Sequence, residues 1–327
     1  MRGSPSFTQG PYPGCREALR QSYNQRGACP ETTTLMLASF SDSTIKQYNT
    51  SLKLWWQYCI SNDINVYEPP IKAVLTFLTK CFNSGCSYGT LNSHRSALSA
   101  LVINNIGSND CVKRLLKGAY KLKPTKAKYS NTWNPQLVLS HISEWIPNNE
   151  MLAICTAHRM QTFSLIKLEN IHFQENGIKI HITDIIKTSA PGRDQPVLYL
   201  PYFRENAAIC PAQALSDYVS RTKNLRPENV KNLFLTHKAP HKAATTQSLS
   251  RWVKQVLSEC GVDISVFGAH STRHASTSAA RLAGVNIELI RKTAGWTNSS
   301  NCFAKFYNRE IVNTGEFAKS VCLSQAD

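Results

Sequence analysis

The sequence has few acidic residues for a chain of its length. Among its 327 residues there are 21 Asp and Glu against 37 Lys and Arg, so the formal net charge is +16. An excess of this size favours a polyanionic partner. Nucleic acid is the first candidate, and an anionic membrane surface is the second.

Long apolar runs are also absent. No stretch approaches the 18 or so consecutive apolar residues that a membrane-spanning helix needs. The opening Met1-Arg-Gly-Ser-Pro5 lacks the apolar core of a signal peptide. We therefore expect a soluble, intracellular protein with no membrane partner.

The cysteines lack the spacing of a metal site or a disulfide framework. None of the 11 cysteines forms a Cys-x-x-Cys pair, and no paired histidines at zinc-finger spacing follow the closest two, Cys81 and Cys86. We interpret them as buried free thiols in a reducing compartment and predict no metal site.

The length suggests about two domains. Residues 1–37 are rich in Gly, Pro and polar residues, with little apolar periodicity, and predict a flexible arm. Over residues 38–122, four segments have apolar residues at helical spacing. These segments predict a small all-α domain; they begin near Ser41, Pro70, Tyr88 and Asp110.

Positive charge is concentrated at the end of this helical region. Residues 38–128 carry 12 Lys and Arg against 4 acids, a net charge of +8. We read residues 123–134 as a basic linker. The cluster of cations has three interpretations: a solvated helix end with its linker, a nuclear-import signal, or a surface that follows DNA phosphates. These interpretations are compatible with one another. This basic strap consists of Lys113, Arg114, Lys117, Lys121, Lys123, Lys126 and Lys128.

Residues 135–327 predict a second domain. Asn176-Gly177 is a strong hairpin turn, and alternating apolar residues around it and near Leu200 predict a three-stranded antiparallel sheet. Helical patterns dominate elsewhere. The expected fold class is therefore mainly α with a small antiparallel β-sheet, an α+β fold.

Side chains that bind anions gather between Gly268 and Arg309. This stretch contains six Lys and Arg and two His but a single acid. Ser271 is a plausible N-cap for one helix, which puts His270 and Arg273 where free backbone N–H groups already favour an anion. Further features predict a second helix and a helical stripe: the cap Asn286, the stops Gly284 and Gly295, and Phe303, Phe306 and Tyr307.

The residue types in this stretch suit phosphoryl transfer. A tyrosine hydroxyl is a poor nucleophile unless fixed cations stabilise the charge that develops. Arginine forks fit phosphate oxygens, and His and Trp supply N–H donors. His270, Arg273, Trp296 and Tyr307 thus form a chemically sufficient part of a metal-independent site. The alternatives are an ordinary buried stripe and a helix-turn-helix around Gly284.

Three motifs in this stretch resemble those of the tyrosine recombinases, the family that includes phage integrases. The amino-acid sequences of these motifs are similar to those in the recombinases of eukaryotic mobile elements such as Ngaro-type retrotransposons and Cryptons. Trp296 stands where most members have a second histidine. The resemblance covers roughly residues 38–315; its motifs are His270-Ser-Thr-Arg273-His274, Ala294-Gly295-Trp296 and Phe303-Ala-Lys-Phe-Tyr307-Asn-Arg309.

The resemblance also implies roles for residues outside this stretch. Arg159 matches the family's first catalytic arginine, although Thr162 stands where the family usually has an acid. Lys187 matches a hairpin lysine that acts as general acid; Lys179 is the alternative, but it lies in mid-strand on the polar face. His274 braces the site or is a structural histidine. The implied catalytic set is Arg159, Lys187, His270, Arg273, Trp296 and Tyr307.

The implied activity is cleavage and rejoining of double-stranded DNA through a 3′-phosphotyrosine, without a cofactor. In the family, a helical core-binding (SAM-like) domain and a basic linker close with the catalytic domain around DNA. Protomers form a tetramer on two DNA sites, and a C-terminal tail, here residues 312–323, often docks on a neighbour. We expect a nuclear protein encoded by a mobile element. A DNA-binding derivative without the reaction and a type IB topoisomerase-like enzyme remain alternatives.

Overall fold

The computed structural model describes residues 10–125, 129–142, 149–297, 301 and 303–312. The chain divides into two compact units, Met1–Lys126 and Ala127–Asp327. Lys126 and Lys128 of the basic strap and residues 313–323 of the predicted tail lie outside the described residues. None of the helices in the described ranges is both long enough and apolar enough to span a membrane.

The described part of the first unit is helical. The four helices predicted after residue 38 are present, and hydroxyl or amide oxygens of Ser41, Ser87 and Asn109 accept backbone N–H groups at three of their N-termini. Trp55 and Leu98 are fully buried between them. The helices are α1 (Cys15–Gln25), α2 (Pro30–Ala38), α3 (Asp42–Ser61), α4 (Ile71–Asn83), α5 (Tyr88–Leu101) and α6 (Asp110–Leu122).

The predicted flexible arm over residues 1–37 is wrong where the structure describes it. Helix α1 packs against α3 and α5, and α2 packs against α1. The Trp56 indole N–H donates to the carbonyl oxygen of Gly10 over 3.0 Å, which fastens the segment before α1 as well. The physical reason is an apolar stripe at helical spacing that is buried in the core, Cys15, Ala18, Leu19 and Tyr23, beside the buried Ser22, whose hydroxyl donates to the carbonyl oxygen of Leu101.

Helix α6 carries four of the five described residues of the basic strap on its solvent side, and the fifth, Lys123, follows it. Val112, Leu116 and Ala119 are buried on the opposite side. After the helix, the Lys123 ammonium donates to the carbonyl oxygen of Gly85 over 2.9 Å. The strap residues in the helix are all exposed: Lys113, Arg114, Lys117 and Lys121.

The second unit combines helices with two small sheets. Its core joins Ile178, Ile180 and Leu198 of one sheet to helix residues such as Leu249 and Val253. Its main elements are β1 (Asn131–Trp133), α7 (Pro135–Ile142), α8 (Asn149–Thr156), α9 (Met160–Ser164), β2 (Ile171–Gln174), β3 (Gly177–His181), β4 (Val197–Pro201), α10 (Pro211–Thr222), α11 (Thr246–Glu259), α12 (Ser271–Leu282), α13 (Ile287–Thr293), a π-helical turn (Phe303–Tyr307) and β5 (Glu310–Val312).

The predicted three-stranded antiparallel sheet is confirmed, in the order β2-β3-β4. The two-residue turn between β2 and β3 is Glu175-Asn176, one residue earlier than the predicted Asn176-Gly177, and Gly177 already pairs with Gln174. Glycine is needed at the start of β3 because a Cβ at Gly177 would lie 2.5 Å from the carbonyl oxygen of Leu200 in β4. The mainly α fold with this small sheet is the α+β class expected. A second, parallel pair of strands, β1 and β5, was not predicted.

The predicted linker over residues 123–134 is longer than the structure allows, because its second half belongs to the second unit. Strand β1 lies within it and pairs with β5 of the second unit. Tyr129 is 4% exposed and stacks on Phe267, with their ring centroids 5.6 Å apart. The aromatic and strand contacts make residues 129–134 part of the second unit.

Two of the predicted helix signals near the C-terminus are wrong in detail. His270, not Ser271, occupies the N-cap position of α12. The Ser271 hydroxyl instead donates to the carbonyl oxygen of Gly268 over 2.7 Å and accepts the Trp133 indole N–H over 2.9 Å. The predicted helical stripe of Phe303, Phe306 and Tyr307 lies in a five-residue π-helical turn, not in an α-helix. The cap Asn286 is confirmed, since its oxygen accepts from the Glu288 N–H over 2.8 Å.

Candidate active site

A cluster of aromatic and cationic side chains surrounds the hydroxyl of Tyr307. That hydroxyl lies 2.9 Å from Nε2 of His270, within hydrogen-bond distance. The His274 ring stacks on the tyrosine ring at a centroid distance of 4.3 Å, and the Trp296 ring lies 4.8 Å away. Three residues from two separate motifs, His270, His274 and Trp296, thus contact one tyrosine.

Arg273 lies beneath this cluster and is only 1% exposed. Its Nη1 donates to the carbonyl oxygen of Ala157 over 2.5 Å, and its Nη2 donates to that of Ala294 over 2.6 Å. The guanidinium carbon lies 4.2 Å from the Trp296 ring centroid and 5.3 Å from that of Tyr307. A permanent positive charge is therefore held directly beside the phenol.

The corner between α8 and α9 carries Arg159 and is joined to Arg273 through Ala157. Ala157 has a φ of +51°, the left-handed region, which is costly for a residue with a Cβ. Its carbonyl oxygen is one of those that Arg273 holds. Arg159 follows two residues later at the N-cap of α9 and is partly exposed. The chain thus leaves helical conformation between α8 and α9 in a strained turn, and a hydrogen bond fastens that turn to Arg273.

Thr162 stands where the resemblance led us to expect an acid. It is 3% exposed, and its backbone N–H donates to the carbonyl oxygen of Arg159 over 2.8 Å. No carboxylate among the described residues forms an ion pair with Arg159. The side chain of Arg159 is consequently not braced by a carboxylate within the described part of the chain.

Two buried histidines in the site are held neutral. Burial lowers the pKa of His158 to about 3, with help from the charges of Arg273 and Arg159. Burial also lowers the pKa of His274 to about 3, and the next contributions come from His270 and Arg309. A neutral imidazole adds no further positive charge next to Arg273. His158, which the sequence analysis missed, hydrogen-bonds to the backbone of Thr293.

We expect the free energy of unfolding to fall as the pH drops below about 6.5. In the unfolded chain both histidines bind a proton near that pH, whereas in the folded protein their pKa is about 3. Between these values the unfolded state binds more protons. Each histidine therefore removes up to about 1.4 kcal/mol per pH unit. Urea titrations between pH 7 and about pH 4 measure this slope.

The control for this prediction is His274→Phe, which keeps a ring against Tyr307 but cannot titrate. Its slope should be smaller than that of the unaltered protein by up to about 1.4 kcal/mol per pH unit. An unchanged slope would mean that His274 is not a buried neutral histidine.

The indole N–H of Trp296 has no hydrogen-bond partner among the described residues, although the residue is only 7% exposed. A buried donor without a partner costs about 1–3 kcal/mol. Such a donor is suited to an acceptor that arrives with a ligand. The helix-turn-helix alternative does not account for this unpaired donor. The first half of α12 is buried, and the carbonyl oxygen of Ala294 at the end of α13 accepts a hydrogen bond from Arg273.

Several residues that the sequence analysis did not select hold the tyrosine segment in place. The Ser278 hydroxyl donates to the carbonyl oxygen of Tyr307 over 2.8 Å and accepts the Arg309 N–H over 3.0 Å. Tyr129 packs edge-on against His274 at a centroid distance of 5.0 Å. Pairing of β5 with β1 fixes the chain just after Arg309.

Lys187 lies in the connection between β3 and β4 and is exposed. Its backbone N–H donates to Oε1 of Gln161 over 3.4 Å, close in sequence to Arg159. Within the described residues its ammonium forms no hydrogen bond or ion pair. The alternative, Lys179, is exposed in the middle of β3, opposite His172 and Tyr199, as alternation predicted. The described contacts therefore unite His270, Arg273, Trp296, Tyr307 and His274, with Arg159 and Lys187 joined to them through the backbone.

This arrangement combines a tyrosine hydroxyl, a buried guanidinium and N–H donors. The described part of the chain contains no group of three or more His, Cys, Asp or Glu side chains suited to a metal ion. Arginine and indole N–H groups favour an anion with several oxygens. The side chains present can accordingly hold a phosphate and stabilise charge that develops on it.

Tyrosine recombinases and integrases share the fold of this chain. The XerH site-specific recombinase bound to palindromic difH substrate matches with a TM-score of 0.59 at 16% identity, over 94% of this chain and 95% of that one. The Tn1549 transposon integrase in complex with circular intermediate DNA matches with a TM-score of 0.56 at 13% identity, over 94% and 98%. A dimer of lambda integrase bound to a COC′ core site matches at 0.55 and 12%, over 89% and 94%.

At these identities the likeness establishes the fold, which is that of the tyrosine recombinases. No protein-family model matches the chain, and no curated protein sequence matches it either. The three neighbours described above are not named as Ngaro-type or Crypton recombinases. The resemblance to that eukaryotic subgroup remains a prediction.

Proposed function

We propose that this protein is a site-specific DNA recombinase that cleaves and rejoins DNA through Tyr307. The observation that carries the proposal is the hydroxyl of Tyr307, 2.9 Å from His270 and beside the buried guanidinium of Arg273. The recombinase fold and the +16 net charge support the same function. The neighbours of known structure bind DNA in the complexes described.

In the proposed reaction, the Tyr307 oxygen bonds to a phosphorus of the DNA backbone while the bond from that phosphorus to the 5′ oxygen breaks. The phenolic proton passes to solvent, and Lys187 supplies a proton to the leaving 5′ oxygen. Arg159 and Arg273 neutralise the equatorial oxygens, and His270 and Trp296 donate hydrogen bonds to them. The 3′-phosphotyrosine stores the bond energy, so a 5′ hydroxyl reverses the step and rejoins the strand.

The first unit is proposed to be the core-binding domain, with the basic strap tracking DNA phosphates. Its exposed lysines on α6 carry this proposal. We also propose that protomers assemble as a tetramer on two DNA sites. An origin in a mobile element and a nuclear location remain part of the proposal, motivated by the motif resemblance and by the possible import signal in the strap.

The reaction is tested by covalent capture on DNA. Duplexes with randomised sequence around a fixed nick are first selected for binding, so that the pool contains sequences the protein recognises. The bound duplexes are then incubated with the protein and denatured. A nick beside the cleaved bond lets the short fragment diffuse away, which traps the adduct. We expect a protein–DNA adduct that survives denaturant and disappears on proteolysis.

The outcomes separate the alternatives. Binding without any adduct would favour a DNA-binding derivative that has lost the reaction. An adduct together with relaxation of supercoiled DNA, but without a recombined product on paired sites, would favour a type IB topoisomerase-like enzyme. Recombined product supports strand exchange.

We expect removal of three strap lysines to weaken the salt dependence of DNA binding. Lys113→Gln, Lys117→Gln and Lys121→Gln together remove three exposed cations from one face of α6. Each lost phosphate contact lowers the steepness of log K against log salt by about 0.9, so the combined change should approach about 2.7. Binding isotherms of the full chain at several salt concentrations measure it.

The matched control removes three other exposed lysines from the first unit, Lys46→Gln, Lys53→Gln and Lys72→Gln. Both triple variants lose the same net charge. The proposal requires a clearly larger change for the strap variant, and equal changes would show that only total charge matters.

A further inference from the structure

The connection between β3 and β4 is fastened to both borders of the candidate site. On one side, the backbone N–H of Lys187 donates to Oε1 of Gln161, two residues beyond Arg159. On the other, Nη2 of Arg193 donates to the carbonyl oxygen of Gly295 over 2.9 Å, directly before Trp296. Residues 102 positions apart in sequence are thus joined by one hydrogen bond.

Inside the connection, further hydrogen bonds link Arg193 to the turn that carries Lys187. The Ser189 hydroxyl accepts the Ile186 N–H over 2.9 Å, which closes the turn around Lys187. The same hydroxyl donates to Oε1 of Gln195 over 2.9 Å, and the Arg193 N–H donates to the carbonyl oxygen of Ala190 over 3.1 Å. A shift of Arg193 therefore reaches Lys187 through a short, bonded loop.

An external anchor matters because the Lys187 side chain has none of its own in the described residues. A lysine side chain has many rotamers, and ordering it costs conformational entropy. A general acid must come within hydrogen-bond reach of the atom that it protonates. The backbone of the connection between β3 and β4 therefore has to determine where the Lys187 ammonium lies. Arg193 is partly buried and is hydrogen-bonded to the backbone just before Trp296.

We propose that Arg193 is a positioning residue that holds the Lys187 turn against the Gly295-Trp296 turn, so that proton donation and phosphate binding share one geometry. The inference rests on the proposed function of Tyr307 and Lys187. Arg193 itself does not touch the reacting atoms. It acts through Lys187, and its loss should affect only the step that needs the proton.

The test compares two nicked duplexes of the captured sequence that differ in one atom. In one the leaving 5′ atom is oxygen, and in the other it is sulfur, which departs as a thiolate without a proton. For Arg193→Ala of the full chain we expect cleavage of the oxygen substrate to slow by about tenfold to a hundredfold, the scale of a small displacement of a catalytic group. Cleavage of the sulfur substrate should stay within about threefold of the unaltered protein.

Three further variants complete the design. Lys187→Ala should show the same selective defect, and Arg193→Lys, which keeps one donor for the Gly295 carbonyl, should recover part of the oxygen-substrate rate. Arg204→Ala removes an exposed arginine of the same unit and should cleave both substrates normally. Thermal unfolding followed by circular dichroism verifies that each variant is folded; if Arg193→Ala is not, Arg193→Gln, with a shorter reach to the carbonyl, replaces it.

Each outcome supports or overturns the inference. Equal slowing of Arg193→Ala on both substrates, or no slowing on either, overturns it while leaving the Tyr307 reaction intact. If Lys187→Ala is not rescued by sulfur, Arg193 cannot act through it, and the inference fails with the assignment of the acid. No cleavage by the unaltered protein would instead remove the proposed function.

Discussion

Tyr307→Phe is expected to abolish the covalent protein–DNA adduct while leaving the fold and the affinity for DNA nearly unchanged. The variant keeps the ring that packs against His274 and Trp296 and deletes only the oxygen proposed to be the nucleophile. The lost hydrogen bond to His270 costs about 1 kcal/mol of stability at most. Denaturing gels of capture reactions measure the adduct, and binding isotherms measure the affinity.

Tyr199→Phe is the matched control. It removes a tyrosine hydroxyl from the same unit, one that donates to the carbonyl oxygen of Asn176 over 2.9 Å, far along the chain from the cluster. This variant should form the adduct at the normal rate. An adduct that persists in Tyr307→Phe would move the nucleophile to another residue.

The second large effect concerns the division of labour between Lys187 and Arg159. Lys187→Ala should slow cleavage of ordinary DNA by about a hundredfold or more, because it removes the proposed proton donor to the leaving oxygen. A sulfur leaving atom should largely restore the rate. Arg159→Ala should be slowed comparably on both substrates, because its positive charge stabilises the phosphorane whichever group leaves. Single-turnover cleavage rates on the two substrates measure this difference.

Lys179→Ala provides the control, since Lys179 is the alternative candidate for the general acid and is exposed in mid-strand. It should cleave both substrates at the normal rate. Rescue by sulfur of Lys179→Ala and not of Lys187→Ala would reassign the acid, and rescue of both Lys187→Ala and Arg159→Ala would contradict separate roles.

Local sequence patterns predicted the parts of the fold that depend on neighbours in the chain. The caps Ser41 and Asn286 act over three residues or fewer. The Asn-Gly pair predicted the hairpin of β2 and β3, although the turn itself lies one residue earlier, at Glu175-Asn176. Helix α1 was predictable too, because its buried residues recur at helical spacing. The Gly and Pro residues on either side of it favoured the prediction of a flexible arm instead.

The rest of the site depends on contacts between distant residues, which leave no periodic signal. The Ser271 hydroxyl, which was expected to cap a helix, instead accepts a hydrogen bond from the indole N–H of Trp133, a residue 138 positions away in sequence. Arg193 meets Gly295 across 102 positions. The parallel pair β1 and β5 is too short for either strand to be recognised alone. Residue chemistry selected the cluster around Tyr307, whereas only tertiary structure revealed what holds it.

The central claim is that Tyr307 becomes covalently attached to DNA. The captured adduct, digested with a nuclease and then with trypsin, gives a peptide whose mass and fragmentation locate the remaining nucleotide. The account predicts a 3′-phosphonucleotide on the oxygen of Tyr307 and an unmodified peptide from the Tyr307→Phe variant. A nucleotide found on any other residue, or joined through its 5′ end, would contradict it.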